Sequence, residues 1–307
     1  MTEPPSLFKG VLVPALTPFH PDLSVNRPAF LEHCRWLLAQ GVAGLAVFGT
    51  TSEANSLSVE ERIELLEFLV DSGMPAERLM PGTGTCALPD SVRLTRHAVA
   101  LGCAGVLMLP PFYYKDVSDE GLYAAYAEVI QQVGSEALRL YLYHIPPIAR
   151  VPISLGLIGR LIKDFPDTVV GIKDSSGDWN NTRDLLREFP GFAVFSGSEN
   201  FLLATLRGGG AGCITATGNV NPAGICRVFE NREGSGADEL QAIATRVRDV
   251  FQAFPLIPGL KQQMSRFTED PDWRIVRPPL IRMAEEAVEM LRERLWRVGF
   301  EMRRERG

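Results

Sequence analysis

The first three quarters of the chain alternate between apolar runs of strand length and longer amphipathic stretches. The short runs fall at residues 11–15, 45–48, 78–81, 105–109, 138–143, 168–173, 193–195 and 211–214. Helical patterns follow them at 28–39, from Ser58 onward, and at 90–101, 118–133, 154–163, 178–188, 200–206 and 222–230. Ser58-Val-Glu-Glu61 has capping-box spacing, a serine acceptor with a glutamate three residues on. Strands separated by helices pair in parallel, and eight such units predict an α/β fold, a (β/α)8 TIM barrel. From about residue 236 only helical patterns remain, such as 237–254 and 279–298. They predict a C-terminal helical extension of about three elements, too small for a core of its own, so it packs on the barrel or on a second subunit. The expected division is a catalytic barrel over 1–232 and a helical domain over 233–307.

Composition limits the partners. The 307 residues are 46% hydrophobic and 22% charged, ample for one large core. A formal charge of -6 argues against nucleic acid or an anionic membrane as partner. The only basic cluster, Arg303-Arg304-Glu-Arg306, reads as a solvated helix end. Cys34, Cys86, Cys103, Cys213 and Cys226 are widely spaced with no Cys-x-x-Cys pair, which reads as small buried hydrophobes in a reducing compartment. No apolar run reaches the ~18 residues of a membrane span, and Met-Thr-Glu-Pro-Pro does not open like a signal peptide. A cytoplasmic protein is expected.

The polar residues gather where strands end. The C-terminal ends carry Thr17-Pro-Phe19, Gly49-Thr-Thr-Ser-Glu53, Gly82-Thr-Gly84, Pro110-Pro-Phe-Tyr-Tyr-Lys115, Tyr143-His-Ile-Pro146, Lys173-Asp-Ser-Ser-Gly177, Ser196-Gly-Ser-Glu199 and Thr215-Ala-Thr-Gly-Asn219. In a barrel these loops surround one cavity at the C-terminal face, where barrel active sites sit.

Lys173 stands out among them. It is one of five lysines, and it closes the buried run Thr168-Val-Val-Gly-Ile172. A cation at the mouth of a buried strand either finds an anion or loses its proton, and a neutral amine is a nucleophile toward carbonyls. The alternative is a structural ion pair with Asp174 or Glu199; the strand-end position favours catalysis. Of the others, Lys115 and Lys163 read as solvated, and Lys9 and Lys261 lie outside strand ends. Tyr143 ends the neighbouring strand, where a phenol can shuttle protons for chemistry at an amine or simply satisfy a core hydrogen bond. Thr50 and Thr51 follow a glycine, so hydroxyls and backbone N–H groups can converge on a carboxylate, or the hydroxyls can satisfy their own turn. Alternation turns His144 away from Tyr143. His20, His33 and His97 show no metal-ligand spacing, so no metal is expected. Gly208-Gly-Gly210 precedes the last strand and reads as a helix-ending turn rather than a phosphate loop.

The ordered set Gly49-Thr-Thr-x-Glu53, Pro111-Phe-Tyr113, Tyr143-x-x-Pro146, Gly171-Ile-Lys-Asp-Ser-Ser-Gly-Asp178, Ser196-Gly197 and Gly212-x-Ile214 through Asn219 resembles the dihydrodipicolinate synthase and N-acetylneuraminate lyase family across the whole barrel. The resemblance implies a class I, Schiff-base lyase or aldolase acting on pyruvate or a related 2-oxo acid. It implies a covalent imine without organic cofactor, and a homotetramer built as a dimer of dimers. By position, Lys173 matches the imine-forming lysine and Tyr143 the proton-relay tyrosine. Thr50 and Thr51 match the pair that holds the substrate carboxylate and extends the relay, and Tyr113 matches a tyrosine some members contribute across a subunit interface. Gly197 and Ile214 match positions lining the cavity near the imine, and Glu199 is taken with them as substrate-binding.

Departures from the family pattern are equally informative. The synthase branch carries an arginine for the second substrate's carboxylate five residues after the relay tyrosine. Here that position is Ile148, and an apolar side chain cannot pair with an anion. Arg150 starts several Å further along. Ser52 replaces a usual glycine, and Ala149-Arg150 replaces a usual Thr-Gly. The expectation is an aldolase or dehydratase acting on a 2-keto-3-deoxy sugar acid. The alternatives are 4-hydroxy-tetrahydrodipicolinate synthase, condensing pyruvate with aspartate semialdehyde, and a non-catalytic 2-oxo acid binding protein.

Overall fold

The computed structural model describes residues 7–302. The basic cluster at 303–306 and the opening residues 1–6 lie outside the described residues. Seven parallel strands form one sheet: β1 (Gly10–Val13), β2 (Gly44–Leu45), β3 (Val106–Met108), β4 (Leu140–His144), β5 (Val169–Asp174), β6 (Ala193–Ser196) and β7 (Gly212–Ile214), ordered β2-β1-β7-β6-β5-β4-β3. Helices α1 (Arg27–Ala39), α2 (Val59–Asp71), α3 (Leu88–Ala100), α4 (Asp119–Val133), the short α5 (Pro146–Ala149), α6 (Leu155–Asp164), α7 (Trp179–Glu188), α8 (Leu202–Arg207) and α9 (Pro222–Glu230) separate and follow the strands. The capping box at Ser58 forms at the start of α2, with reciprocal bonds of 3.1 and 2.9 Å to Glu61.

The expected third strand is present only as parallel bridges, Leu45 to Leu79 and Gly82 to Leu107. The physical reason is Pro81, which has no N–H to donate to a ladder. The segment still joins β2 to β3: Met80 N–H donates to Leu45 O at 2.9 Å, Gly82 N–H to Val47 O at 2.8 Å, and Leu107 N–H to Pro81 O at 2.9 Å. With it the sheet closes into an eight-membered barrel.

The barrel interior is filled from the bottom by aromatic rings. Tyr141 and Phe195 meet edge to face at 6.0 Å, and the Phe8 N–H donates to the Tyr141 hydroxyl at 3.3 Å. Glycine makes this possible at position 171, where a Cβ would sit 2.4 Å from the Tyr141 ring and 2.6 Å from the Ala193 carbonyl. Gly171→Ala should therefore overpack the core and cost about 1–3 kcal/mol. Thermal unfolding checks this, and an unshifted midpoint would contradict the packing described.

Beyond α9 come α10 (Ala237–Gln252), α11 (Leu256–Thr268) and α12 (Glu285–Arg297). They build a core cluster of their own type with barrel residues Leu16, Ala216 and Val220, packing against Phe251, Leu260, Met264 and Trp273. The tail thus lies against the C-terminal ends of the barrel strands. The expected helix from 279 begins only at Glu285. Residues 277–284 run instead as a non-helical connection, anchored at Arg277, whose guanidinium reaches Glu61 and the carbonyls of Ser56 and Leu23. Four cysteines are buried as expected, but Cys86 is exposed. Among the described residues, no helix is long and apolar enough to cross a membrane.

Candidate active site

Strand alternation decides what faces the cavity. On β4 and β5, Tyr141 and Gly171 face inward, so Tyr143 and Lys173 do too, and the register pairs them directly. Lys173 is 4% exposed, and its Nζ lies 4.2 Å from the centroid of the Tyr143 ring. The Tyr143 hydroxyl lies 3.2 Å from Thr50 Oγ1. Thr51, next in the chain to Thr50, is buried. Lysine, tyrosine and threonine from three different strand ends therefore meet in one place.

The acids that offered Lys173 a structural role are engaged elsewhere. Asp174 points outward into the helix layer, accepting from the Thr182 hydroxyl at 2.6 Å and the Ser176 N–H at 2.9 Å. Glu199 is fully buried, and its two carboxylate oxygens accept from the hydroxyls of Thr215 and Thr217. Arg248 of α10 stands 3.9 Å from it. Glu199 thus ties the loops after β6 and β7 together. Among the described residues, no carboxylate lies within ion-pair distance of Lys173.

His144 faces outward, as alternation predicts, accepting from the Ile153 N–H at 3.0 Å. Burial lowers its pKa against the pull of Asp174. Ile214 is fully buried on β7, and Phe195, across from Lys173, lines the same interior. Gly197 follows β6, where a Cβ would fall 2.0 Å from Ser175 Oγ, so only glycine keeps the strand ends this close. Ile148 lies on α5 and is 63% exposed, and Arg150 after it is exposed with a positive φ of 54°. Tyr113 is 74% exposed and packs edge to face on Tyr114 at 5.3 Å, outside the Lys173–Tyr143–Thr50 cluster of its own chain. No three His, Cys, Asp or Glu side chains among the described residues come together as metal ligands.

Sequence reading missed the supports of this site. The loop 49–52 is bracketed by two non-glycine residues in the left-handed region, Phe48 (φ 59°) and Glu53 (φ 57°), a conformation that costs about 1–3 kcal/mol each and persists only where surroundings enforce it. At Glu53 the enforcement comes from the tail. Lys261 of α11, fully buried, forms an ion pair with Glu53, and burial lowers its pKa to about 8 against that carboxylate's pull. The Arg277 N–H donates to Glu53 Oε2 at 2.9 Å. Buried Arg62 of α2 donates to the Ala54 carbonyl and lines a small cavity behind Thr50 and Tyr143. His33, held neutral by burial with a pKa near 4, meets Asn219 Oδ1 at 2.8 Å. Asn219 also receives the Leu16 N–H at 2.9 Å, so α1 is tied to the loop after β7.

The sequence and fold are shared with known proteins. The sequence model of the Dihydrodipicolinate synthetase family matches residues 7–297. An uncharacterized DapA-like lyase of Chloroflexus aurantiacus is 34% identical over 294 residues, covering 95% of this chain and 96% of the relative. The 4-hydroxy-tetrahydrodipicolinate synthase of Syntrophus aciditrophicus is 30% identical over 300 residues, covering 95% and 99%. Among solved structures, the dihydrodipicolinate synthase of Agrobacterium tumefaciens superposes with a TM-score of 0.87 at 30% identity, covering 94% of this chain and 99% of that one. YagE, a prophage protein of the dihydrodipicolinic acid synthase family from E. coli K12 in complex with pyruvate, superposes at 0.87 with 25% identity, covering 96% and 99%. By sequence along nearly its whole length and by fold, the chain belongs to the dihydrodipicolinate synthetase family of lyases.

Proposed function

We propose that the protein is a class I lyase in which Lys173 forms an imine with the 2-oxo group of pyruvate or of a 2-keto-3-deoxy sugar acid. The observation that carries this reading is the buried Lys173 at a barrel strand end, with no carboxylate among the described residues within ion-pair distance, set against Tyr143, whose hydroxyl meets Thr50. The Lys173 amine adds to C2 of the substrate. Loss of water gives the imine, which once protonated takes up the electron pair released when the C3–C4 bond breaks. The Tyr143 oxygen, having given its proton to the departing water, takes the C4 hydroxyl proton as the aldehyde leaves and returns it to C3 of the enamine left on Lys173, after which hydrolysis frees pyruvate. The Tyr143 hydroxyl, with Thr50 behind it, is placed to move the proton that carbinolamine breakdown requires. Thr50 and Thr51 hold the substrate carboxylate, and Ile214 and Gly197 wall the imine. No metal or organic cofactor enters these steps.

For the second half of the substrate, Ile148 argues against recognition of a second carboxylate, since the position holds an exposed apolar side chain. Relatives named synthases favour the second reading, condensation of pyruvate with aspartate semialdehyde. The two are separated by assaying pyruvate release from a panel of 2-keto-3-deoxy sugar acids beside that condensation. Release from at least one sugar acid with little condensation is expected, and efficient condensation would show that the reasoning from Ile148 is wrong. The proposal extends to a homotetramer, a dimer of dimers in a cytoplasmic setting. There the exposed Tyr113 is offered to a neighbouring subunit's site, which its 74% exposure supports.

A further inference from the structure

A continuous path of contacts leads from the C-terminal helices to the nucleophile. Lys261 on α11 and the Arg277 N–H each take one oxygen of the Glu53 carboxylate. The Glu53 N–H donates to the Thr50 carbonyl at 3.1 Å, and the Ser52 N–H to the Gly49 carbonyl at 3.1 Å. Thr50 then meets Tyr143, and Tyr143 lies against Lys173. Both members of the ion pair are buried, their side chains 0% and 1% exposed. Lys261 also donates to the Ile275 carbonyl at 2.7 Å and packs on the Phe19 ring at 4.3 Å.

We propose that the Glu53–Lys261 pair positions the loop carrying Thr50 and Thr51, so that the C-terminal helices set the geometry of the substrate-carboxylate site. Glu53 and Lys261 touch no substrate and are positioning residues. Three features separate this from mere domain docking. The pair grips the residue that ends the threonine loop rather than a helix surface. That residue is held in the left-handed region, which it would leave if released. A buried carboxylate with one partner removed also relaxes toward water, dragging its backbone with it. The exposed tail-to-barrel contact of Asn200 with Asp249 at 3.0 Å lacks these properties.

The inference rests on the imine reading, so its test uses imine formation. Borohydride trapping at graded pyruvate gives a half-saturation for the wild-type protein, for Lys261→Met, for Glu53→Gln and for Lys261→Arg, with thermal midpoints alongside. Loss of the pair should raise the half-saturation about tenfold, the scale of a small misplacement of a binding group. Lys261→Arg, which keeps the charge, should recover most of the wild-type value. If Lys261→Met does not fold, Glu53→Gln decides, since it keeps side-chain length and an acceptor for the Arg277 N–H. Folded variants with lowered midpoints but half-saturations within about twofold of wild type would overturn the inference, leaving the pair a structural one. Failure to trap the wild-type protein would instead sink the imine reading itself.

Discussion

Lys173→Met should abolish lyase turnover, by roughly 10^4-fold or more, while leaving the fold intact. The substitution removes the amine and keeps an unbranched chain of similar length. Because Lys173 is buried without a carboxylate partner among the described residues, an apolar side chain at the same place removes a buried polar group that has no ion pair there to lose. The thermal midpoint should therefore hold or rise. That combination, intact or improved stability with lost turnover, is expected of a nucleophile and not of a structural lysine. A collapse in stability with proportionate loss of activity would return Lys173 to a structural role.

Tyr143→Phe should lower kcat by about 10²–10⁴-fold, the usual contribution of positioned proton transfer. The ring that lies against Lys173 is preserved, so the amine keeps its environment and the imine should still form in part. Only the hydroxyl is lost, together with its contact to Thr50 at 3.2 Å. Stability should fall by about 1 kcal/mol, the scale of one hydrogen bond. Steady-state turnover and single-turnover trapping separate the two steps. Unchanged turnover would remove Tyr143 from proton transfer.

Much of this site was legible in the chain because barrels convert local patterns into spatial ones. Period-two alternation along 138–143 and 168–173 sends Tyr143 and Lys173 to the same side, and adjacent strand ends bring them together. The same alternation turned His144 outward. The third strand was readable as a position but not as a ladder, since Pro81 removes a donor the pattern does not weigh.

What local pattern could not supply was the orientation of acids and the partners of buried charges. Glu199 follows a strand end, yet where its carboxylate points depends on Thr215 and Thr217 in another loop. Glu53 sits in a recognisable motif, but Arg277, which donates to it, is 224 residues away in sequence. Lys261 carries no local mark of being buried, lying on an amphipathic helix between Leu260 and Gln262. Such pairs are fixed by the packing of the tail on the barrel.

Reduction with borohydride in the presence of pyruvate traps any imine that Lys173 forms with a 2-oxo acid. A mass increase corresponding to one reduced pyruvyl adduct per chain is expected, located by peptide mapping on Lys173 and absent from Lys173→Met. An unmodified Lys173 at saturating pyruvate would contradict imine formation, leaving at most a protein that binds 2-oxo acids without covalent chemistry.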